Sequence, residues 1–178
     1  MERLLPSAIE GDTVERFVAL AREIEATVST GGDVAGLMEE WNAGAHRAYE
    51  AVELATYDGS MDVRTFVREA LLQPVGRLED LRFEEASAAM GAVARAELDP
   101  AVTSAVMQTL EANFPGAEVS DLIFWPDAWF QDDARLHVAL TPDQLVGYAC
   151  ARSGRSLEGA PEDLSLPHPL PARRVSRL

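Results

Sequence analysis

The pattern that most restricts the fold is a series of apolar stripes at helical spacing, separated by helix-start and turn signals. Asp99-Pro100 is a strong start signal, because an aspartate cap is followed by proline at the first helical position. Thr141-Pro142-Asp143-Gln144 combines a capping box with the same proline position. The stripes that follow these signals predict helices at Asp99–Phe114 and Thr141–Cys150. We therefore expect an all-α protein with no sheet of more than two strands.

Further stripes predict helices in the rest of the chain. One spans about residues 13–28, and the next follows Asp33, which can cap it. Trp41 continues the apolar face of this second helix, so we assign it to the core rather than to a site. Asp58-Gly59-Ser60 is a break signal. The other helices are expected at residues 63–71 and 83–94, and a loop at residues 127–140.

The two halves of the chain match as a weak repeat. Phe17 lies 66 positions before Phe83, and the stripe after the break signal lies 79 positions before the last stripe. We interpret this match as two tandem copies of one small helical unit, followed by a proline-rich tail. Chance similarity between two sets of amphipathic helices is the alternative. The predicted segments are residues 1–76, 77–151 and 152–178.

The tail differs from the body in charge. It has five arginines and three acidic residues, whereas residues 1–151 have 10 arginines and 27 acidic residues. Its prolines preclude a long helix. We expect it to fold back on the acidic body or to stay mobile, and a nucleic-acid arm is a third interpretation. The tail arginines are Arg152, Arg155, Arg173, Arg174 and Arg177.

The overall charge limits the choice of partner. The 178-residue chain has a formal net charge of −15 at pH 7. Nucleic acids and anionic membranes need positive charge on a protein, so the acidity argues against both and permits a basic protein partner. The N-terminus lacks the apolar core of a signal peptide, and no apolar run approaches membrane-spanning length. We therefore expect a cytoplasmic protein.

Residues 120–130, which we call the aromatic turn, hold the densest aromatic surface of the chain. Ser120 can cap a helix, Asp121 would lie in its positive first turn, and the proline after Trp125 limits this helix to about one turn. Adjacent helical residues point about 100° apart, so Phe124 and Trp125, the aromatic pair, cannot both follow the aliphatic residues inward. We expect one of the pair to face outward beside an acid. The alternative is that both rings pack between the helical units.

The aromatic turn also resembles a known family. Phe114-Pro115-Gly116, followed by Ser120-Asp121-Leu122-Ile123-Phe124-Trp125-Pro126, is similar to the helix III signature of colicin-E-type bacteriocin immunity proteins. The resemblance covers roughly residues 80–150. Members of this family are small acidic proteins with a distorted four-helix fold, and they bind and inhibit the nuclease domain of a toxin. The resemblance therefore implies immunity-like helical units and a basic nuclease toxin as partner.

The resemblance also assigns residues to the binding surface. It implies that Asp121, Phe124 and Trp125 form the shared part of the toxin-binding surface, with Ser120 at the start of the signature. Partner choice in the family comes from acidic positions on the preceding helix, which here leaves Glu111 as a candidate beside Asp99. The sequence departs from the family in two ways: the two tyrosines are replaced by Phe124 and Trp125, and three residues are inserted before Ser120. Acidic residues expected around the pair are Glu118, Asp121, Asp127, Asp132 and Asp133.

No motif points clearly to catalysis. His46 and Glu50 are four residues apart with Glu53 close by, so a metal could bind there, but a solvated acidic helix face has the same pattern. Glycine-rich phosphate loops and nucleophile elbows are missing from the sequence. Cys150, the single cysteine, fits a small buried hydrophobic residue. We expect no enzyme activity, no cofactor and no bound metal.

The sequence thus favours an immunity-type protein that binds and neutralises a nuclease bacteriocin. An interaction or regulatory scaffold of the same fold, which self-associates through the aromatic turn, is the first alternative. An enzyme centred on His46 and its neighbouring carboxylates is the second.

Overall fold

The computed structural model describes residues 1–57 and 61–171. Within these residues the regular structure is helical, without a β-strand and with one isolated bridge, between Arg82 and Glu158. The predicted all-α fold is confirmed. Asp58-Gly59-Ser60 and the arginines at 173, 174 and 177 lie outside the described residues. The α-helices are α1 (Gly11–Ser29), α2 (Ala35–Gly44), α3 (Ala51–Thr56), α4 (Val63–Leu71), α5 (Phe83–Ala94), α6 (Pro100–Asn113), α7 (Val119–Phe124), α8 (Pro126–Phe130) and α9 (Pro142–Ser153).

Both strong start signals begin helices at the predicted places. The Asp99 carboxylate accepts a hydrogen bond from the Ala101 amide at 3.1 Å, at the start of α6. Thr141 and Gln144 form a reciprocal capping box at the start of α9, with hydrogen bonds of 3.2 and 3.0 Å. Proline occupies the first position of both helices. The predictions of helices at Asp99–Phe114 and Thr141–Cys150 are confirmed.

Residues 127–140 do not form the predicted loop throughout. Pro126–Phe130 forms α8, and Asp133–Arg135 forms a 3-10 turn. Pro126 ends one helix and also takes the first position of the next, where its missing N–H leaves no intrahelical hydrogen bond unmade. The loop prediction was therefore wrong for these two elements. No helix in the described parts of the chain combines the length and the apolar character needed to cross a membrane.

The chain forms two compact units. The N-terminal unit consists of Leu5–Pro74 and Asp99–Ala105, and the C-terminal unit consists of Met1–Leu4, Val75–Leu98 and Val106–Leu178. Helix α6 therefore begins in the first unit and continues into the second. The predicted segment boundaries and the tandem-copy interpretation stay predictions.

In the N-terminal unit, α1 packs against α2, α3 and α4. Trp41 is fully buried at the centre of this packing. The rings of Phe17, Tyr49 and Phe66 surround it, with centroids 5.5, 6.0 and 5.8 Å from its own. The assignment of Trp41 to the core is confirmed.

In the C-terminal unit, α5 packs along α9, and the short helix α7 contacts both. The segment before α5 is hydrogen-bonded to α6. The Val75 amide donates to the Thr109 hydroxyl at 2.9 Å. The Leu78 amide donates to the side-chain oxygen of Asn113, also at 2.9 Å. Arg155 donates to the main-chain carbonyl of Asn113 at 2.8 Å and to that of Leu78.

The described part of the tail folds back on the C-terminal unit. Helix α9 continues two residues into the predicted tail segment. Leu164 and Leu166 lie over Gly147, where a Cβ would come within 2.9 and 2.8 Å of their methyl groups. The Tyr148 hydroxyl donates to the His168 carbonyl at 2.8 Å and accepts from the His168 amide at 2.7 Å. Up to residue 171 the chain therefore follows the first of the expectations for the tail.

Candidate partner-binding site

Two short helices meet at Trp125 and form the aromatic turn. Helix α7 ends at Phe124, and Trp125 leaves helical geometry with φ −136° and ψ 58°. The Trp125 amide donates to the Asp121 carbonyl at 2.8 Å, and the Trp125 carbonyl accepts from the Trp129 amide at 3.0 Å. Trp125 thus closes one helix and starts the next, and the helical path breaks at this residue.

Both members of the aromatic pair face solvent. Phe124 is 46% exposed and Trp125 is 59% exposed, whereas Val119 and Leu122 of the same helix are buried. The sequence predicts one outward-facing ring, and the structure has two. Because the helix breaks at Trp125, this side chain does not take the regular 100° step from Phe124, and both rings remain outside the core.

Trp129, four residues later, anchors the aromatic turn to the core. Its side chain is 1% exposed, and its indole N–H donates to the Ala117 carbonyl at 2.7 Å. Its ring meets those of Phe130 and Tyr148 edge to face, with centroids 4.8 and 5.5 Å away. These are favourable geometries for aromatic pairs. The aromatic turn therefore has a buried end at Trp129 and an exposed end at Phe124 and Trp125.

An ion pair between the buried Arg152 and the partly exposed Glu118 adjoins the aromatic turn. Arg152, from α9, donates to the Glu118 carboxylate at 2.9 Å and is itself buried. Its guanidinium carbon lies 5.2 Å from the centroid of the Trp129 ring. Arg152 belongs to the predicted tail by number, but its position four residues after Tyr148 puts it on the buried face of α9. That spacing is the sequence signal that could have identified this residue.

The predicted polar site residues all lie on α7 or touch it. Asp121 is in the first turn of α7, as predicted. Ser120 is also within the helix rather than at its cap, because Glu118 takes the cap position. The Glu111 carboxylate accepts a hydrogen bond from the Ser120 amide at 2.9 Å. The structure thus brings the five predicted residues together, with Glu111 bracing the helix that carries the aromatic pair.

Arginines contact two of the acidic residues that were expected around the pair. Glu118 pairs with Arg152, and Asp132 pairs with Arg135 at 3.0 Å. Arg135 also approaches a ring nitrogen of His168 at 2.7 Å. The start of α7 is thus bonded to α9, and the segment after α8 is bonded to His168 in the tail.

Around His46, the alternative catalytic centre, the polar side chains make hydrogen bonds within the protein. His46 Nδ1 lies 2.9 Å from the Ala70 carbonyl, which the His46 amide also contacts. Glu53 pairs with Arg47 at 2.7 Å and accepts from the Glu50 amide at 2.8 Å. The hydrogen bond from Arg47 lowers the pKa of the Glu53 carboxyl. Among the described residues, no three His, Cys, Asp or Glu side chains are grouped to hold a metal ion.

Cys150 lies in α9, and its thiol is partly buried. Burial raises the pKa of this thiol to about 11, so little thiolate forms at neutral pH. Since the thiolate is the nucleophile, Cys150 has the character of a small apolar residue rather than of a reactive group.

Comparisons with models of protein families, with curated proteins and with solved structures gave no match. What the aromatic turn can do follows from its geometry. Two adjacent rings that face solvent next to a buried Trp129 offer apolar surface that another macromolecule can cover. Tryptophan and other aromatic residues are enriched at the energetic centres of protein interfaces.

Proposed function

We propose that this protein binds a basic protein partner through Phe124 and Trp125 and that it neutralises a nuclease toxin in the manner of immunity proteins. The observation that carries the proposal is the exposure of both members of the aromatic pair next to a buried Trp129. A tryptophan that only filled the core would be buried as Trp129 is. The pair instead presents apolar surface to solvent on a turn that is held from below.

The energetics of interfaces support this role for Trp125. A central aromatic anchor contributes about 2 kcal/mol or more to binding, which is roughly thirtyfold in affinity. The cost of ordering the interface is small when the side chains are already held in place. Three contacts supply such support: Glu111 accepts from the Ser120 amide, the Trp129 indole donates to the Ala117 carbonyl, and Arg152 lies against the Trp129 ring.

The charge of the protein favours a basic partner over a second copy of the chain. With a net charge of −15, two copies repel each other, whereas a basic surface is attracted and steered toward the site. A nuclease domain has a basic surface because it binds phosphates. An acidic inhibitor can cover or flank that surface without entering the catalytic centre.

The helical arrangement and the resemblance give further support. Each half of the chain has a six-residue helix, α3 or α7, before its last long helix. This order is consistent with two tandem immunity-like units of distorted four-helix form. In the second unit the short helix carries the residues that the resemblance assigns to toxin binding, namely Asp121, Phe124 and Trp125.

Affinity capture with matched baits tests the proposal. Purified wild-type protein and the Trp125→Ala variant are immobilised and exposed to lysate of the source organism, and retained proteins are identified by mass spectrometry. We expect a basic nuclease on the wild-type bait and at least tenfold less of it on Trp125→Ala. Val52→Ala is the control, because Val52 is 58% exposed on α3 and lies outside the proposed site.

Calorimetric titration with the captured nuclease then measures each contribution. We expect Trp125→Ala to lower affinity by roughly thirtyfold and Phe124→Ala by less. The effect of Asp121→Ala should shrink as salt rises, because it acts through charge. Equal retention by the wild-type and Trp125→Ala baits would contradict the proposal, and retention of only the protein itself would favour the self-associating scaffold.

A further inference from the structure

Strained backbone bounds the aromatic turn on both sides. Glu118, the cap of α7, has φ 54°, and Gln131, the cap at the end of α8, has φ 56°. Residues other than glycine rarely adopt this left-handed conformation, and it persists where the surrounding structure enforces it. Helices of six and five residues also do not hold by intrinsic propensity. The position of the aromatic pair therefore depends on tertiary contacts.

Arg152 makes contacts at both ends of this segment. Its Nη2 lies 2.9 Å from Oε2 of Glu118, at the start of α7. Its guanidinium also lies against the ring of Trp129, in α8. Phe124 and Trp125 lie between these two contact points in the chain. No other described arginine is both buried and paired with a carboxylate of this segment.

We infer that Arg152 is a positioning residue for the aromatic pair, and that it holds Phe124 and Trp125 in the orientation that a partner binds. This inference rests on the proposed function for its biological meaning, but the positioning itself is a property of the free protein. The planar guanidinium can bond a carboxylate and lie against an aromatic ring at once, which a lysine ammonium cannot reproduce.

Nuclear magnetic relaxation of the free protein tests the inference. Backbone order parameters for residues 119–130, and the relaxation of the Trp125 indole N–H, are measured in wild-type protein and in Arg152→Met. For residues 119–125 we expect order parameters of about 0.85 in the wild type and below about 0.6 in Arg152→Met. Arg152→Lys should restore part of the order. Glu118→Gln keeps the size of the side chain and removes its charge, and it should loosen the same residues.

Arg155→Met is the matched control. Arg155 lies three residues further along and is bonded to Asn113 and Leu78 rather than to the aromatic turn. It should lower the melting temperature while leaving the order of residues 119–130 unchanged. The inference is overturned if the turn stays rigid in Arg152→Met, or if Arg155→Met loosens it equally.

The partner experiment separates this inference from the proposed function. If a basic nuclease is captured, Arg152→Met should lower its affinity at least tenfold, with Arg152→Lys intermediate. If residues 119–125 loosen in Arg152→Met but no partner depends on Trp125, the positioning role stands and the proposed function fails. If Trp125→Ala abolishes binding while Arg152→Met leaves both order and affinity unchanged, the proposed function stands and the positioning role fails.

Discussion

Trp125 and Trp129 lie four residues apart and have opposite environments. Trp125 is exposed and lies at the break between two helices, and Trp129 is buried with its indole N–H bonded to the Ala117 carbonyl. Residue type alone does not separate them. The difference comes from the break at Trp125, which turns one ring to solvent and the other to the aromatic cluster around Tyr148.

This difference predicts unequal effects on stability. Trp129→Ala should lower the free energy of unfolding by about 3–5 kcal/mol, since it removes a buried ring and its hydrogen bond. Trp125→Ala should change it by no more than about 0.5 kcal/mol. Urea unfolding followed by circular dichroism measures both. If Trp125→Ala costs as much as Trp129→Ala, Trp125 belongs to the core and its assignment to a binding site is wrong.

Among the helices, α9 has the clearest sequence-encoded start. Thr141→Ala removes the side-chain oxygen that accepts from the Gln144 amide. We expect it to lower the free energy of unfolding by about 1 kcal/mol. Thr141→Ser keeps that oxygen and should behave like the wild type in the same urea titration. Equal stability of Thr141→Ala and the wild type would mean that packing alone fixes the start of α9.

The sequence predicts helices well where their ends are specified locally. Asp99-Pro100 and Thr141-Pro142 combine a cap with a fixed proline geometry, so the starts of α6 and α9 follow from adjacent residues. Pro126 supplies the proline of this signal but not the cap, because the residue before it, Trp125, is not a capping residue. Helix α8 was therefore missed, although the one-turn length of α7 was predicted.

The contacts that hold the candidate site in place were harder to predict from the sequence. Glu118 is in left-handed backbone geometry next to a carboxylate–guanidinium contact with Arg152, which is 34 residues away. Ser120 is a good cap by residue type, but that position is taken by Glu118. Such features depend on how α7 and α9 pack, and local propensity does not encode packing. The aromatic pair was predicted as a site because its composition and order are visible in sequence.

Excess negative charge opposes compactness. The chain has 30 acidic side chains against 15 arginines, and its isoelectric point is about 4.5. Repulsion among the acids destabilises the folded state at neutral pH and low salt. The same charge excess attracts a basic partner, so a feature that supports the proposed function also reduces stability.

Individual carboxyls respond to pH in opposite directions. Burial, with a contribution from nearby Asp99, raises the pKa of Glu69. The folded state therefore disfavours its charged form, and stability rises as pH falls toward the raised value. The hydrogen bond from Arg68 lowers the pKa of Asp99, and that from Arg47 lowers the pKa of Glu53. Their contributions are complete above the ordinary carboxyl range and are lost as pH falls through the lowered values.

These effects predict a stability maximum below neutral pH. As pH falls from 7 toward the carboxyl range, reduced repulsion and relief of the buried charge of Glu69 should raise the melting temperature at low salt. Below about pH 4, loss of the Arg68–Asp99 and Arg47–Glu53 pairs should lower it. Added salt should raise the melting temperature at pH 7 and have little effect near the isoelectric point of about 4.5, because it screens repulsion between exposed charges. Differential scanning calorimetry across pH and salt measures both trends, and Glu69→Gln should reduce the rise on acidification. A melting temperature that falls steadily from pH 7 and does not respond to salt would show that paired carboxylates, rather than net repulsion, dominate the electrostatics of this protein.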